Sequence, residues 1–260
     1  MNELTNDMTQ ETAPAASWRA LFSTPKPVLA MLHLGGEDQA ERLSRARRET
    51  AVLVDGGVDA VIVENYFGDV DDVRRVLDAL SNGAVPPVIG LNVLRDTERA
   101  FALADEFPVA FVQIDSVAGH LAPDDDAEYA ERLAERRAAS RALVFGGVRF
   151  KYQPVNSGRP EAEDLALGAQ RSDAIVVTGD GTGVETALSK IERFREALGP
   201  SYPLIVGAGV TDENAAAQLL HADAAIVGSF FKDSYRDTGV VDADHVARFM
   251  TAVARVRSGL

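Results

Sequence analysis

The chain has 260 residues, of which 46% are hydrophobic, and it carries a formal net charge of −14, four histidines and no cysteine. An acidic chain repels nucleic acid and anionic membranes, and the lack of cysteine excludes disulfides, thiolate metal sites and thiol nucleophiles. Neither a secretion signal nor an apolar run of about 18 residues occurs, so we expect a cytoplasmic protein without membrane insertion.

Residues 1–17 are polar and alanine-rich without hydrophobic periodicity, which predicts a disordered lead before a domain at residues 18–260. Residues 18–22 predict a short helix that covers one end of that domain. Apolar runs then alternate with segments of helical period. The predicted strands are 28–34, 60–65, 87–94, 111–117, 143–152, 174–179, 203–210 and 224–231, and the predicted helices are 39–54, 70–80, 97–106, 127–142, 161–171, 184–198, 213–221 and 242–256.

Eight strand–helix pairs predict a single (β/α)8 TIM barrel, since an open doubly wound sheet more often has five or six strands. One such barrel usually has about 250 residues. Asp59, Asp173 and Asp223 each follow a predicted helix and open an even-numbered strand. These positions lie at the bottom of a barrel, where side chains serve stability, so we expect no catalytic role for them.

Two strand ends near the C-terminus carry small residues. The first contains Gly207 and Gly209, and the second contains Gly228 and Ser229. Small residues let backbone N–H groups approach a ligand, and the loops after strands seven and eight of TIM barrels commonly bind phosphate. The sequence therefore predicts a phosphorylated small molecule as the partner, with its phosphate on these amides.

Polar side chains occur at the ends of the other predicted strands, where barrel enzymes place their chemistry. Arg149 and Lys151 alternate on strand five, which predicts that both side chains face the barrel mouth. Glu64 and Asp115 end apolar runs, and buried carboxylates there would need such cationic partners. We predict that Glu64, Asp115 and Lys151 are catalytic and that Arg149 binds substrate together with His33, Asn65, Asn92 and Thr178.

A further carboxylate, Asp180, lies between two glycines in the segment 178–183. Its charge repels phosphate, so a sugar hydroxyl, a magnesium ion or a developing positive charge suits it better. We predict a catalytic role, with a helix-capping loop as the alternative. Lys232, one of only four lysines, is a second candidate at the barrel mouth. Magnesium is the one cofactor that the sequence suggests, and zinc-hydrolase, Walker and nucleophile-elbow motifs are absent.

Six colinear segments of this sequence resemble the BtpA/SgcQ family. They extend from Lys26 almost to the C-terminus. The resemblance implies a barrel related to the ribulose-phosphate-binding group, in a family named for a photosystem I biogenesis factor. The segments are residues 26–34, 57–65, 90–94, 174–179, 206–211 and 226–232.

The chain departs from the family pattern in two strands. Strand five reads Gly146-Gly-Val-Arg-Phe-Lys-Tyr152, where the family has a sequence close to Ala-Asp-Val-His-Val-Lys-His. The lysine is kept, while an aspartate and two histidines are replaced. Strand four has Gln113-Ile-Asp115 in place of Arg-Val-Asn. These replacements point to a specialised substrate.

Three classes of function remain open. The preferred one is glycosyl transfer or cleavage at the anomeric carbon of a phosphorylated sugar or nucleotide, because Glu64, Asp115 and Asp180 suit an oxocarbenium-like transition state. The second is isomerisation, epimerisation or aldol cleavage, with Lys151 or a carboxylate moving a proton. The third is a non-catalytic assembly factor for a membrane complex. Fold alone does not decide among them, and the oligomeric state, a homo-oligomer included, stays open.

Overall fold

The structure is a computed structural model that describes residues 13–83 and 88–260. Eight parallel strands, each followed by a helix, close into a barrel in chain order, which confirms the predicted (β/α)8 fold. The strands are β1 (Val28–Leu32), β2 (Ala60–Glu64), β3 (Ile89–Asn92), β4 (Phe111–Ala118), β5 (Leu143–Val148), β6 (Ala174–Thr178), β7 (Leu204–Gly207) and β8 (Ala224–Val227).

The helices surround the barrel, and one further helix precedes β1. A short 3-10 helix, Ser229–Phe231, follows β8 directly. The α-helices are α1 (Ala13–Leu21), α2 (Gln39–Asp55), α3 (Val70–Ser81), α4 (Thr97–Glu106), α5 (Pro123–Ala139), α6 (Glu161–Arg171), α7 (Leu188–Leu198), α8 (Ala215–His221) and α9 (Ala243–Ser258).

Helix α1 begins within the segment predicted to be a disordered lead. Residues 13–17 are helical, whereas 1–12 lie outside the described residues, as does 87 at the predicted start of strand three. The ring of Trp18 packs against Phe22 and Phe145, with centroids 4.8 and 5.6 Å apart. These contacts hold the helix across the bottom of the barrel, and the helix extends from them towards the N-terminus.

Large apolar side chains fill the lower barrel. Phe111 and Phe145 stack with ring centroids 4.2 Å apart, and Gly90 leaves the space that the Phe111 ring occupies. Side chains alternate across a strand, so the residues two or four positions further along also point inward. That period carries four polar residues into the barrel mouth above the aromatic layer, namely His33, Glu64, Asn92 and Asp115.

The repeated aspartates lie at the bottom of the barrel, where they tie neighbouring strands together. Each carboxylate accepts a hydrogen bond from a backbone N–H near the start of the preceding strand and pairs with an arginine of a helix. Asp59 thus joins Val28 N at 2.7 Å to Arg257, Asp173 joins Val144 N at 2.7 Å to Arg137, and Asp223 joins Leu204 N at 2.9 Å to Arg195.

Several element boundaries differ from the prediction, and two of them show how packing overrides local periodicity. Strand β5 stops at Val148, since Arg149 adopts a φ of 47° and turns the chain. Helix α7 begins at Leu188 rather than at 184. The segment before it is held against β7, where Thr186 Oγ1 donates to the Gly207 carbonyl at 2.8 Å.

We expect Gly90→Ala to destabilise the barrel. A Cβ atom at this position would lie 2.2 Å from the Phe111 ring, which is fully buried and stacked on Phe145 and therefore has no room to move. Overpacking of this kind costs about 1–3 kcal/mol. Chemical denaturation measures the loss. In the control Gly259→Ala, the added atom approaches no closer than 3.6 Å, and an equal loss in both variants would contradict this account.

Candidate active site

A large cavity of about 1140 Å³ opens at the C-terminal ends of the strands. All eight strands or the loops after them contribute to its wall, so the barrel brings together residues that are far apart in the chain. Ten of the residues predicted to act at the site line it: His33, Glu64, Asn65, Asp115, Lys151, Thr178, Gly207, Gly209, Gly228 and Ser229.

Two carboxyl groups at the cavity floor, that of the buried Glu64 and that of the half-buried Asp115, share one amide. Asn92 Nδ2 donates to Glu64 Oε1 at 2.9 Å and to Asp115 Oδ1 at 3.1 Å. Asn92 itself is buried behind them and is not part of the lining. The amide therefore fixes the relative position of the two carboxyl groups.

Burial raises the pKa of Glu64 to about 8, and the nearby charge of Asp115 acts in the same direction. Burial also raises the pKa of Asp115, although Asn92 and the charge of Lys151 oppose this shift. Two carboxyl groups in one dry site do not both ionise readily. Because the charge of Asp115 helps to raise the pKa of Glu64, Asp115 ionises first, and Glu64 is the member of the pair that stays protonated at neutral pH.

His33 lies next to this pair and is neutral. Burial, followed by the charge of Lys232, lowers its pKa to about 4. Its Nε2 atom is 3.6 Å from Glu64 Oε2, and its Nδ1 atom is 3.4 Å from the Asp237 carbonyl oxygen. A neutral ring that donates through Nδ1 presents Nε2 as an acceptor to the protonated Glu64, so this contact is not an ion pair.

Lys151 supplies the positive charge opposite the carboxyl groups. Its backbone N–H donates to Thr178 Oγ1 at 2.9 Å, and its Nζ donates to Thr182 Oγ1 at 3.2 Å. Thr178 thus serves to place the lysine. The charge of Lys151 lowers the pKa of both Glu64 and Asp115, so the ammonium favours the ionised form of each carboxyl group.

Arg149 does not share this position, so the prediction that it faces the mouth with Lys151 was wrong. The left-handed turn after β5 sends its side chain towards α6. There its Nε donates to Asp164 Oδ2 at 3.0 Å, and its Nη2 donates to the Arg159 carbonyl at 2.7 Å. Arg149 shapes the loop that carries Lys151 and does not line the cavity.

Two further predicted residues also lie outside the cavity lining. Asp180 is exposed to solvent and does not line the cavity, although Thr182 and Gly183 of the same loop do. Lys232 is fully buried, and its Nζ donates to Glu49 Oε2 at 2.8 Å. The chain leaves the 3-10 helix towards α2, so this lysine serves the fold and not the barrel mouth.

The small residues predicted to bind phosphate form one wall of the cavity. Gly209 has a φ of 61°, and a Cβ atom there would lie 2.3 Å from Glu185 N, so only glycine lets the two loops meet. Gly183 joins this wall from the neighbouring loop, its Cβ position 3.6 Å from Ser229 Oγ. The wall leaves backbone groups accessible to a ligand. We call residues 207–209, 228 and 229 the glycine wall.

Gln113 also lines the cavity, although the sequence identified it only as a departure from the family pattern and not as a site residue. Gln113 lies two residues before Asp115 on β4, so both side chains point to the same side of the strand, into the cavity. This two-residue spacing is visible in the sequence and could have identified Gln113 as a site residue. Its side chain hydrogen-bonds to Asp115, while its Oε1 is buried without a partner. A buried acceptor that lines a cavity is suited to a ligand hydroxyl or N–H group.

The described residues do not supply a metal cage of their own. Across 13–83 and 88–260, no group of three or more His, Asp or Glu side chains is arranged to hold a metal ion. Within the same ranges, no helix is long and apolar enough to span a membrane.

The closed barrel with its polar, small-residue mouth defines a TIM-barrel protein with a large cavity at the C-terminal ends of its strands. The chain belongs to the BtpA family, whose sequence profile matches residues 24–255. An uncharacterized protein of Archaeoglobus fulgidus is 30% identical over 86% of this chain and 96% of its own. The photosystem I biogenesis protein BtpA of Synechocystis is 28% identical over 90% of each chain.

Solved structures support the fold. A native KDPGal structure superposes with a TM-score of 0.60 at 16% identity, covering 89% of this chain and 96% of that one. A monomeric form of the dimeric phosphoribosylanthranilate isomerase from Thermotoga maritima gives a TM-score of 0.56 at 18% identity, covering 90% of this chain and 100% of that one. At such identities the similarity is one of fold.

We expect Glu64→Gln to stabilise the protein increasingly as pH rises. The pKa of Glu64 is raised from 4.5 to about 8, so its contribution to folding is present below pH 4.5 and is lost as pH rises through 8. Glutamine keeps the acceptor for Asn92 and does not titrate. The gain over the parent should grow by on the order of 1 kcal/mol per pH unit between pH 5 and 8.

Urea denaturation at four pH values measures this difference. The exposed Glu131→Gln is the matched control and should follow the parent at every pH. If the curves for Glu64→Gln and the parent run parallel, Glu64 is ionised in the folded protein and the assignment above is wrong.

Proposed function

We propose that this protein is an enzyme that acts on a phosphorylated sugar or nucleotide, transferring or cleaving the group at its anomeric carbon. The observation that carries the proposal is the pair of Glu64 and Asp115, held by Asn92 in the same cavity as the glycine wall. One carboxyl group is kept protonated and the other ionised, which is the division that cleavage at an anomeric carbon uses.

In this mechanism Glu64 donates its proton to the leaving group as the bond from the anomeric carbon breaks. The electron pair of that bond goes to the leaving group, and Asp115 stabilises the positive charge that develops on the sugar. Water or an acceptor then attacks the carbon and returns a proton to Glu64. Gln113, with its unpaired Oε1, accepts a hydrogen bond from a sugar hydroxyl and so orients the ring.

The phosphate group is placed on the glycine wall. Backbone N–H groups at the ends of β7 and β8 bind an anion without a side-chain charge, as is usual after these strands in TIM barrels. Lys151 faces the carboxyl pair across the cavity and is available to a second anionic group, such as a leaving phosphate or diphosphate.

The Thermotoga and Synechocystis proteins described above agree with this proposal only in part. The Thermotoga enzyme that shares the fold is an isomerase with a phosphoribosyl group in its name, which agrees with a phosphorylated sugar but not with glycosyl transfer. The Synechocystis relative is named for photosystem I biogenesis. A purely scaffolding role gives no reason to keep a protonated acid, a carboxylate and an unpaired amide buried at one cavity floor.

A second candidate function is chemistry beside a carbonyl group, as in an isomerase or aldolase. It is favoured by Lys151, which is the only lysine among the described residues that line the cavity. An aldolase of this type would form a Schiff base with the substrate. Borohydride reduction with substrate present traps such an adduct on Lys151, whereas the preferred reaction leaves the lysine unmodified.

We expect Glu64→Gln and Asp115→Asn each to lower turnover by on the order of a hundredfold, as for other single preorganised groups. Each change keeps the shape and the contact with Asn92, so the folded state should persist. The substrate is first identified by mass spectrometry of metabolites retained on the purified protein, with and without magnesium. Turnover and melting temperature are then measured together.

The matched control is Asp180→Asn, which removes a carboxylate from the same rim but outside the cavity lining, and it should change turnover less than twofold. Lys151→Met tests the cation opposite the pair and should also lower turnover strongly. The proposal fails if Glu64→Gln and Asp115→Asn turn over at the parental rate while remaining folded.

We expect Ser229→Asp to weaken binding of inorganic phosphate at least tenfold, because it places a negative charge in the glycine wall. Ser234→Asp adds the same charge at an exposed position outside the cavity lining and should leave binding unchanged. Calorimetric titration measures both affinities. Equal effects of the two changes would show that the phosphate does not lie on the glycine wall.

A further inference from the structure

The cavity continues beyond the glycine wall, away from the carboxyl pair. A Cβ atom on Gly228 would lie 3.4 Å from the His33 ring, and His33 in turn contacts Glu64 at 3.6 Å. On the other side of Ser229, the ring of Phe230 lies 5.1 Å from the Arg248 guanidinium. The glycine wall is therefore the middle of the cavity and not its end.

The outer part of the cavity is built from an aromatic ring, an arginine and acidic side chains. Tyr235 and Arg248 both line it, and Arg248 Nη2 donates to the Tyr235 hydroxyl at 3.0 Å. Arg248 Nε is 2.7 Å from Asp212 Oδ2, and Glu213 lies on the same wall. We call Asp212, Glu213, Phe230, Tyr235 and Arg248 the outer subsite.

Tyr235 is held in an unusual way for a loop residue. It has a left-handed φ of 56°, which is unfavourable for a side chain of this size. One face of its ring stacks on His245, with centroids 4.3 Å apart and an angle of 14°. The side chain is nevertheless 48% exposed, so part of the ring remains accessible from the cavity.

The carboxyl pair, the glycine wall and the outer subsite follow one another along the cavity, and this order indicates which ligand the cavity fits. If the sugar lies over the carboxyl pair and its phosphate on the glycine wall, the outer subsite faces whatever is attached to the far side of that phosphate. A sugar that carries a simple phosphate monoester has no group beyond the phosphate to contact the outer subsite. An aromatic face, a guanidinium and two carboxylates match, respectively, the ring of a nucleobase, a second phosphate and the donors of a nucleoside.

We infer that the substrate is a sugar whose non-anomeric phosphate is joined to a nucleoside as a diphosphate, as in ADP-ribose. Its diphosphate lies across the glycine wall, its nucleoside lies on the outer subsite, and its anomeric carbon carries the leaving group over the carboxyl pair. This inference rests on the proposed function and names its substrate class. The cavity of about 1140 Å³ agrees with it, since sites for drug-sized ligands span about 300–1,000 Å³ and a sugar monophosphate is smaller than such a ligand.

The test compares two probes that share one sugar phosphate. ADP-ribose contains ribose 5-phosphate and adds only the adenosine monophosphate part. In the parent protein, we expect ADP-ribose to bind at least tenfold more tightly than ribose 5-phosphate in calorimetric titrations. Tyr235→Ala and Arg248→Gln should each lower the affinity for ADP-ribose about tenfold, as loss of a base-stacking ring commonly does, and leave that for ribose 5-phosphate within twofold.

Two controls separate stacking and local charge from general effects. Tyr235→Phe keeps the ring and should retain most of the preference for ADP-ribose. Arg236→Gln removes a neighbouring exposed arginine that does not line the cavity and should change neither affinity.

The outcomes distinguish this inference from the proposed function. If the parent binds ribose 5-phosphate and ADP-ribose equally well, the outer subsite is not used and only the inference fails. The same holds if Tyr235→Ala and Arg248→Gln weaken both ligands to the same extent. If neither ligand binds the parent, the proposed function fails and the inference fails with it.

Discussion

The arrangement at the barrel mouth depends on one side chain, the amide of Asn92. Two carboxyl groups on neighbouring parts of a buried surface repel each other when both are charged, and the amide offers each of them a hydrogen bond from behind. Because Asn92 ends β3, between the strands that carry Glu64 and Asp115, the barrel itself sets this geometry. Burial then divides the protons between the pair, and that division gives the cavity its chemical character.

The sequence predicted the barrel and the polar side chains at its mouth because both follow from a period of two. An inward residue on a strand remains inward two positions later, so the sequence placed His33, Glu64 and Asp115 correctly at the barrel mouth. By the same two-residue period, Arg149 was predicted to point into the barrel mouth with Lys151. In the structure, the strand has already ended, and the fully buried Asp164 draws the arginine to α6. A local pattern contains no sign of that partner.

The partner of Lys232 could not be predicted from a local sequence pattern either, because it is still further away along the chain. Its partner Glu49 lies 183 residues earlier in the chain, on a helix whose polar positions resemble an ordinary solvated face. The position of Asp180 depends on how the loop before α7 packs against β7, which no spacing of glycines reveals. Residues that face one another across a barrel axis are predictable from the strand order, whereas pairs between loops and helices require the tertiary structure.

The pairing of Lys232 with Glu49 has a consequence for how this fold can diversify. Glu49 Oε1 also accepts a hydrogen bond from the backbone N–H of Val241 at 3.2 Å. Lys232 and Val241 pair in an isolated antiparallel β-bridge. Both ends of the loop between Lys232 and Val241 are therefore held together at Glu49. A loop closed at its base can change in sequence without disturbing the strands that support it. The segment that carries Tyr235 is therefore free to vary in sequence and length, and such variation would reshape the outer subsite while the residues at the cavity floor keep their positions.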